Sequence, residues 1–335
     1  MPTRVLNPKE ICIILTYRCN AKCNMCNVWL HPTKVEDEIS INEINKLPSG
    51  LRFINITGGE PFIRRDIEEI IDVIRPKTNR IVISTNGFFT ERIVRLCEKY
   101  PDLGIRISTE GLQKSNDTIR KIPGGFDRTL RTLLTLRRMG VKDIGFGMTV
   151  QDMNCNDLMP LYEMSDALGY EFATATLHNS HYFHKLDNTI ENKEKVSMEF
   201  KILIRELLKS KSVKKWFRAY FNYGLINYIQ GRKRLLPCEM GVESCFVDPS
   251  GDIIACNGMG AKVPMGNIKN KSFDEIWRSQ EAERVRSIVK TCDRQCWMVG
   301  NAVPVIKKYI YKPMGWIIQN KLRVMFNRDL SCNCG

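Results

Sequence analysis

The sequence predicts an α/β protein built on a parallel sheet, followed by a smaller cysteine-rich segment. Short apolar runs alternate with helical patterns over the first 180 residues or so, at the spacing of βα units. Cysteine, glycine and small polar residues stand where these apolar runs end, which is the edge that carries chemistry in (β/α) folds. Periodicity alone leaves two architectures open: a (β/α) barrel and a doubly wound sheet.

Six apolar runs predict the strands, at residues 10–17, 51–59, 80–87, 103–111, 143–150 and 170–177. Amphipathic patterns between them predict helices. The first starts at Ser40, where Glu43 completes a capping box, and another ends at Gly140 as its cap. The other helical patterns cover residues 63–75, 89–100, 126–140 and 156–169.

Composition places the chain in a reducing compartment. The 335 residues include 13 cysteines, and the first ten residues lack the apolar core of an export signal. Without export, clustered cysteines more often bind metal or perform redox chemistry than form disulfides. No run of about 18 uncharged apolar residues predicts a membrane span. We therefore expect a cytoplasmic protein, with a peripheral position at the inner face of the membrane as an extension of that expectation.

The net charge of +14 is concentrated in two stretches. Residues 201–236 hold ten Lys or Arg against one acid, residues 301–335 hold six against one, and the remainder sums to zero. Such a surface attracts an anionic partner, or it is simply a solvated helix face. Residues 305–326 suit either an interfacial helix anchored by Tyr309 and Trp316 or a helix packed on the core. Nucleic acid is disfavoured, because the aromatic residues of 216–228 follow helical spacing.

Three cysteines, Cys19, Cys23 and Cys26, fall within eight residues after the first strand. A structural zinc site requires four ligands. An iron–sulfur cube held by three thiolates instead keeps one iron free for another ligand. Cys12 lies inside the strand pattern and is not expected to be a fourth ligand. The spacing favours an iron–sulfur cluster over structural zinc or unrelated buried cysteines.

The C-x₃-C-x₂-C motif, followed by "GGEP" after the second strand, resembles the radical S-adenosylmethionine (SAM) superfamily over residues 10–180. The resemblance implies a partial (β/α)6 TIM-type barrel with a [4Fe–4S] cluster on Cys19, Cys23 and Cys26. It also implies reductive SAM cleavage to a 5′-deoxyadenosyl radical that abstracts hydrogen from a substrate. The residues it places at the cofactor are Gly58, Gly59, Glu60, Pro61, Ser84, Asn86, Ser108 and Glu110. The motifs around Ser84, Asn86, Ser108 and Glu110 are equally typical of ordinary βα turns.

Five further cysteines between 238 and 296 resemble the SPASM/twitch extension of that superfamily, a small α+β module for auxiliary [4Fe–4S] clusters. The number suffices for one auxiliary cluster plus one spare. The expected ligands are Cys238, Cys256, Cys292 and Cys296. Cys245 is the spare or a hydrogen donor, and an alternative set uses Cys245 with Cys238 and Cys256. Cys332 and Cys334 are expected to be a terminal pair.

These features divide the chain into a radical SAM core (1–200), a basic helical connector (201–236), a SPASM/twitch-like module (237–300) and a basic amphipathic segment (301–335). The expected function is dehydrogenation or epimerisation of a small anionic, carbohydrate-like or lipid-linked molecule. Two alternatives remain: a peptide-modifying SPASM enzyme, and an iron–sulfur or zinc module that binds nucleic acid. A reductant such as flavodoxin or ferredoxin is the expected electron donor.

Overall fold

The computed structural model describes residues 6–331 and is centred on one nine-stranded sheet in the order β6-β5-β4-β3-β2-β1-β7-β8-β9. Strands β1 to β6 are parallel to their neighbours. Since β6 and β9 stand at opposite ends of the order, the sheet does not close, and the expected partial barrel is confirmed. The strands are β1 Glu10–Ile14, β2 Phe53–Thr57, β3 Ile81–Thr85, β4 Gly104–Ser108, β5 Ile144–Val150, β6 Glu171–Thr176, β7 Ser244–Val247, β8 Asp252–Ile254 and β9 Pro264–Asn267.

Helices follow the strands of the parallel region and continue into the carboxyl-terminal part. They are α1 Ile41–Asn45, α2 Ile67–Ile74, α3 Thr90–Lys99, α4 Gln113–Arg120, α5 Gly125–Arg138, α6 Leu158–Ala167, α7 Lys193–Lys209, α8 Val213–Ile229, α9 Phe273–Trp277, α10 Gln280–Lys290, α11 Val299–Lys308 and α12 Tyr311–Met325. The predicted capping box of Ser40 and Glu43 begins α1. Helix α4 was not predicted, because its sequence "QKSNDTIR" is almost wholly polar.

Alternation along the strands gives the sheet one apolar and one polar face. Ile11 and Ile13 are buried among the helices, whereas Cys12 between them is partly exposed on the inner face. Asn55 pairs with Cys12 across the β1–β2 register and donates to its Sγ at 3.5 Å. Ser84 on β3 donates to Asn55 at 3.1 Å. The inside of the partial barrel is thus a hydrogen-bonded polar surface rather than a packed apolar core.

The cysteine-rich segment continues the same sheet. Strand β7 pairs in parallel with β1, from Glu10 opposite Ser244 to Ile13 opposite Val247. Strands β7 and β8 form a hairpin, whose turn contains Gly251 with a φ of +89°. The boundary expected at residue 200 falls inside α7, which packs on α8. Core and module therefore share one sheet, and α7 joins the core to the connector.

The two predicted membrane anchors face the protein instead. Trp316 on α12 is buried and stacks on Tyr223 of α8, with ring centroids 4.9 Å apart and planes 17° apart. Tyr309 is half-buried and its hydroxyl donates to Glu239. Of the two alternatives for residues 305–326, Trp316 and Tyr309 follow the packed one, because Trp316 is buried against α8 and the Tyr309 hydroxyl is bound to Glu239. No helix among residues 6–331 is long and apolar enough to cross a membrane.

Part of the basic connector is neutralised by the barrel. Lys214 and Arg218 on α8 form ion pairs with Glu171, and Lys215 pairs with Asp166. These residues fix α8 against the amino end of β6. The expectation of a free basic surface over the whole of 201–236 therefore fails for these three side chains.

Candidate active site at the carboxyl edge of the sheet

The three-cysteine loop begins where β1 ends, and it brings its thiols together. Cys23 lies close enough to Cys19 and to Cys26 that its thiolate would raise the pKa of both thiols. Burial raises the pKa of Cys19 to about 12 and that of Cys26 to about 11, so these thiols ionise only beside a positive group. The loop supplies three thiols and no fourth cysteine. This suits a [4Fe–4S] cluster in which one iron has no cysteine ligand, as the spacing predicts.

Arg120, the last residue of α4, lies against this loop and was missed by the sequence analysis. It is buried, and its charge interacts with Cys23, Glu110 and Cys19. One guanidinium nitrogen donates to Glu110 at 2.8 Å, whereas the buried Nε has no hydrogen-bond partner in the structure. A buried cation with an unused donor is poised for an anionic ligand group. The available signal was its placement one residue after Ile119 on the buried side of α4.

Glu60 is fully buried and is saturated by the chain itself. Its carboxylate accepts hydrogen bonds from the backbone of Phe62 at 3.1 Å, from Thr85 at 2.7 Å and from the backbone of Asn86 at 2.7 Å. Burial raises the pKa of this carboxyl, although these three donors oppose the shift. The resemblance places Glu60 at the cofactor, but three donors of the chain already occupy its carboxylate. In the structure Glu60 ties the end of β2 to the end of β3.

Gly58 and Gly59 permit a close approach between two stretches of backbone. A Cβ on Gly59 would lie 2.3 Å from the carbonyl oxygen of Arg18, and one on Gly58 would lie 2.8 Å from that of Thr16. The amide of Gly59 donates to Thr16 at 2.6 Å, and that of Glu60 to Arg18 at 2.9 Å. The glycines therefore dock the second βα loop on the entry to the cysteine loop. Pro61 is the first residue of a short 3-10 helix, Pro61–Ile63, where its missing N–H costs nothing.

The remaining expected residues divide into two groups. Asn86 is buried and donates to Asn20 of the cysteine loop at 2.7 Å, and Glu110 accepts from the backbone of Thr149 at 2.7 Å and from Arg120. Both brace the loop from neighbouring strand ends. Ser84 and Ser108 instead lie on the partly exposed inner face. A Cβ on Gly147, the register partner of Ser108, would have no heavy atom within 4 Å, so this part of the face is open.

The second cysteine group is assembled from distant parts of the chain. The thiol of Cys256 interacts electrostatically with those of Cys238, Cys296 and Cys292, and burial raises its pKa to about 12. Arg234 lies beside three of the four and donates to the carbonyl oxygen of Cys296. These four thiols therefore lie near one another in the structure.

Cys245 lies elsewhere, which disfavours its use as a ligand. It is buried in β7, directly opposite Ile11 of β1, and its charge interacts with that of Cys12. This position beside Cys12 favours the first ligand set over the alternative built on Cys245. Cys332 and Cys334 lie outside the described residues.

A loop after β6, residues 177–191, spans the two cysteine groups. Its Phe183 carbonyl oxygen accepts from Asn27 at 2.8 Å beside the first group. Ser180 donates to the carbonyl oxygen of Asn257, next to Cys256, and Arg294 donates to Asn179 at 3.4 Å. The loop closes the space above the polar inner face. In the described range, no group of three or more His, Cys, Asp or Glu side chains is arranged to hold a single metal ion.

Comparison with family descriptions identifies both cysteine regions. The description of the Radical SAM superfamily matches residues 13–163. That of the SPASM iron–sulfur cluster-binding domain matches residues 238–298. The two matches contain the three-cysteine and four-cysteine groups, respectively.

Three relatives show the range of activities among similar sequences. An Fe-coproporphyrin III synthase of Methanosarcina barkeri is 33% identical over 158 residues, which cover 45% of this chain and only 39% of that protein. An AdoMet-dependent heme synthase of Nitratidesulfovibrio vulgaris is 23% identical over 80% of this chain and 78% of its own length. The subtilosin biosynthesis protein AlbA of Bacillus subtilis is 24% identical over 79% of this chain and 58% of its own length.

A solved structure shares the fold along nearly the whole chain. Native anSMEcpe with bound AdoMet and Cp18Cys peptide superposes with a TM-score of 0.63 at 15% identity. The superposition covers 96% of this chain and 99% of that one. The likeness therefore includes the extension of the sheet by β7 to β9 as well as the partial barrel.

Proposed function

The chain belongs to the radical SAM superfamily and carries a SPASM module, and on that premise we propose that it modifies a peptide by hydrogen-atom abstraction. The radical SAM core binds SAM and a [4Fe–4S] cluster, and the SPASM region binds auxiliary iron–sulfur cluster. When bound, these groups supply one-electron cleavage of SAM and a nearby centre that can accept an electron from the substrate. One observation carries the proposal. Three thiols lie close together on one side of loop 177–191, and four lie close together on its other side.

Cys19, Cys23 and Cys26 would hold the SAM-binding cluster. Their partial burial keeps bulk water from the thiols. Two contacts fix the loop from the ends of neighbouring strands: Asn86 donates to Asn20, and the backbone amide of Glu60 donates to the carbonyl oxygen of Arg18. A ligand loop held in this way is organised before the cluster arrives, which reduces the entropy lost on binding.

Arg120 would hold the carboxylate of SAM. Its unpartnered Nε is buried beside the cysteine loop, so a carboxylate there would satisfy a donor that otherwise remains desolvated. Glu110 positions the guanidinium through a 2.8 Å hydrogen bond and is itself fixed by Thr149. This assignment replaces Glu60 with Arg120 as the charged residue in contact with the cofactor.

Cys238, Cys256, Cys292 and Cys296 would hold one auxiliary cluster. Arg234 places a positive charge beside this group and fixes its last member through the carbonyl oxygen of Cys296. A neighbouring cation stabilises thiolates and favours the acceptance of an electron by a cluster bound to them. This arrangement suits an overall two-electron oxidation of the substrate.

Two comparisons support a peptide as the substrate class. AlbA takes part in the biosynthesis of a bacteriocin, and the structure that superposes over almost the entire chain contains a peptide together with AdoMet. The second candidate is a small polar molecule, anionic, carbohydrate-like or lipid-linked. The hydrogen-bonding groups of Asn55, Ser84 and Ser108 on the open inner face favour it.

Deuterium transfer separates the two substrate classes. Reconstituted, reduced enzyme is incubated with SAM and either the peptide fraction or the small-molecule fraction of fully deuterated cells. Mass spectrometry then measures deuterium in 5′-deoxyadenosine. Enrichment from the peptide fraction alone supports the proposal, and enrichment from the small-molecule fraction alone replaces it with the second candidate. A variant lacking Cys19, Cys23 and Cys26 is the control and should yield no labelled product.

A further inference from the structure

Helix α12 has a second apolar side that the packing of Trp316 does not explain. Tyr311, Ile318, Leu322 and Met325 are 66%, 56%, 51% and 72% exposed, respectively. At about 100° per residue they fall within about 60° of one another around the helix. We call these four residues the outer stripe.

The outer stripe lies opposite the side that holds the helix to the protein. The buried residues of α12 project in the reverse direction and pack towards α7 and α8; they are Pro313, Trp316, Ile317, Asn320 and Val324. The helix is therefore apolar on two sides, and only one of them has a partner in the described structure. Exposed apolar rows of this kind mark interaction surfaces.

Positive charge borders the outer stripe. Lys312 and Arg323 project from one flank of the helix, about 100–120° from Tyr311, and Arg328 follows at its end. These three side chains form no ion pair within residues 6–331, whereas Lys307 and Lys308 on α11 pair with acids. Residues 301–328 contain no Asp or Glu. The surface thus combines an apolar row about 22 Å long with an uncompensated cationic border.

We propose that the outer stripe of α12 docks the protein on an anionic lipid surface. A helix that lies flat in a membrane interface needs an apolar row inserted among the acyl chains and cations at headgroup level, and α12 presents both. A second copy is a poorer partner, because a two-fold contact would bring Lys312 and Arg323 towards their own equivalents. RNA is a poorer partner as well, because three of the four stripe residues are aliphatic and offer no stacking surface. The inference is independent of the substrate of the proposed reaction.

Vesicle co-sedimentation of the reconstituted full chain tests the proposal. The vesicles are phosphatidylcholine alone or phosphatidylcholine with phosphatidylglycerol, at low and at physiological salt. We expect binding to the anionic vesicles only, weakened by salt because the Debye length falls to about 8 Å. Ile318→Asn with Leu322→Asn should abolish sedimentation. Lys312→Gln with Arg323→Gln should weaken it by about 30-fold, as expected for two interfacial charges.

Matched controls distinguish binding through the outer stripe from non-specific hydrophobic or electrostatic adsorption to the vesicles. Val35→Asn with Met153→Asn removes two equally exposed apolar side chains elsewhere, and Lys142→Gln with Lys290→Gln removes two exposed cations elsewhere. Both controls should bind like the wild type, and every variant should keep its thermal midpoint and its rate of SAM cleavage.

Three results would overturn the proposal: no binding to anionic vesicles, equal binding to neutral vesicles, or unchanged binding by the Ile318→Asn/Leu322→Asn variant. A dimer in lipid-free solution that this variant dissociates would also overturn it, because the stripe would then be a contact between copies. Light scattering at several protein concentrations detects that case.

Discussion

The two cysteine groups of this protein are built in different ways. The first takes its three thiols from one loop of eight residues, which is braced by Asn86 after β3 and by Arg120 at the end of α4, itself held by Glu110. The second takes four thiols from three segments that are up to 58 residues apart and that only the folded chain brings near one another. The first is therefore a local motif stiffened by the fold, and the second exists only through the fold. The difference predicts which substitutions act on chemistry and which act on assembly.

The largest effect is expected when the three-cysteine group is removed and the four-cysteine group is kept. Replacing Cys19, Cys23 and Cys26 with alanine should abolish 5′-deoxyadenosine formation, since no thiolate remains for the cluster that binds SAM. The variant should retain about four irons per chain against about eight in the wild type, as expected for one cube and two cubes. Chromatography of the nucleoside and iron analysis measure these outcomes. Cys97→Ala in α3 is the matched control, and product formation by the triple variant would refute the assignment.

Substitution of Arg120 tests whether this residue, besides stabilising the cysteine loop, also binds SAM. Arg120→Met should raise the KM for SAM by about 100-fold, the effect of losing a buried charged hydrogen bond. The visible absorption of the cluster should persist, because Arg120 is not one of its ligands. Initial rates at varied SAM concentrations provide the measurement.

Conservative variants keep the Arg120 test interpretable, since methionine leaves Glu110 buried without its cation. Arg120→Lys retains the charge and should recover part of the affinity. Glu110→Gln retains an acceptor and should have a smaller effect than Arg120→Met. An unchanged KM in a folded Arg120→Met variant would assign Arg120 a purely structural role.

Separate substitutions of Cys256 and Cys245 test which cysteines form the four-cysteine group. Cys256→Ala should lower the iron content from about eight to about four per chain, and Cys245→Ala should leave it unchanged, because Cys245 lies beside Cys12 in the sheet. Iron analysis and electron paramagnetic resonance of the reduced proteins check both values. About twelve irons in the wild type would mean a second auxiliary cluster. Loss of iron in Cys245→Ala would restore the alternative ligand set.

The smallest expected effect concerns the contact between the two βα loops. Gly59→Ala should lower the thermal midpoint by about 5 °C or more, since its Cβ would lie 2.3 Å from a backbone oxygen that cannot rotate away. Gly147→Ala is the matched control, because its Cβ would meet no atom within 4 Å. Differential scanning fluorimetry of both variants decides the point, and equal midpoints would show that the backbone contact relaxes at little cost.

The sequence by itself determined the local features. The six parallel strands, the capping box at Ser40, the hairpin turn at Gly251 and the three-cysteine loop all depend on residues close together in the chain. Apolar periodicity, capping chemistry and ligand spacing express such short-range relations directly. The family resemblance rests on the same short motifs, and it too was recognisable without a structure.

Only the tertiary structure decided which distant residues meet. The pairing of β7 with β1 placed Cys245 beside Cys12 and away from the other four cysteines, although its spacing in the chain suits a ligand. Arg120 reached the cysteine loop from a helix whose sequence is polar apart from Ile119, so apolar periodicity did not reveal it. Helix α12 has two apolar sides, and its packing on α7 and α8 selected the one with Trp316 for burial. A side chain's burial depends on partners far along the chain, and local sequence does not encode those partners.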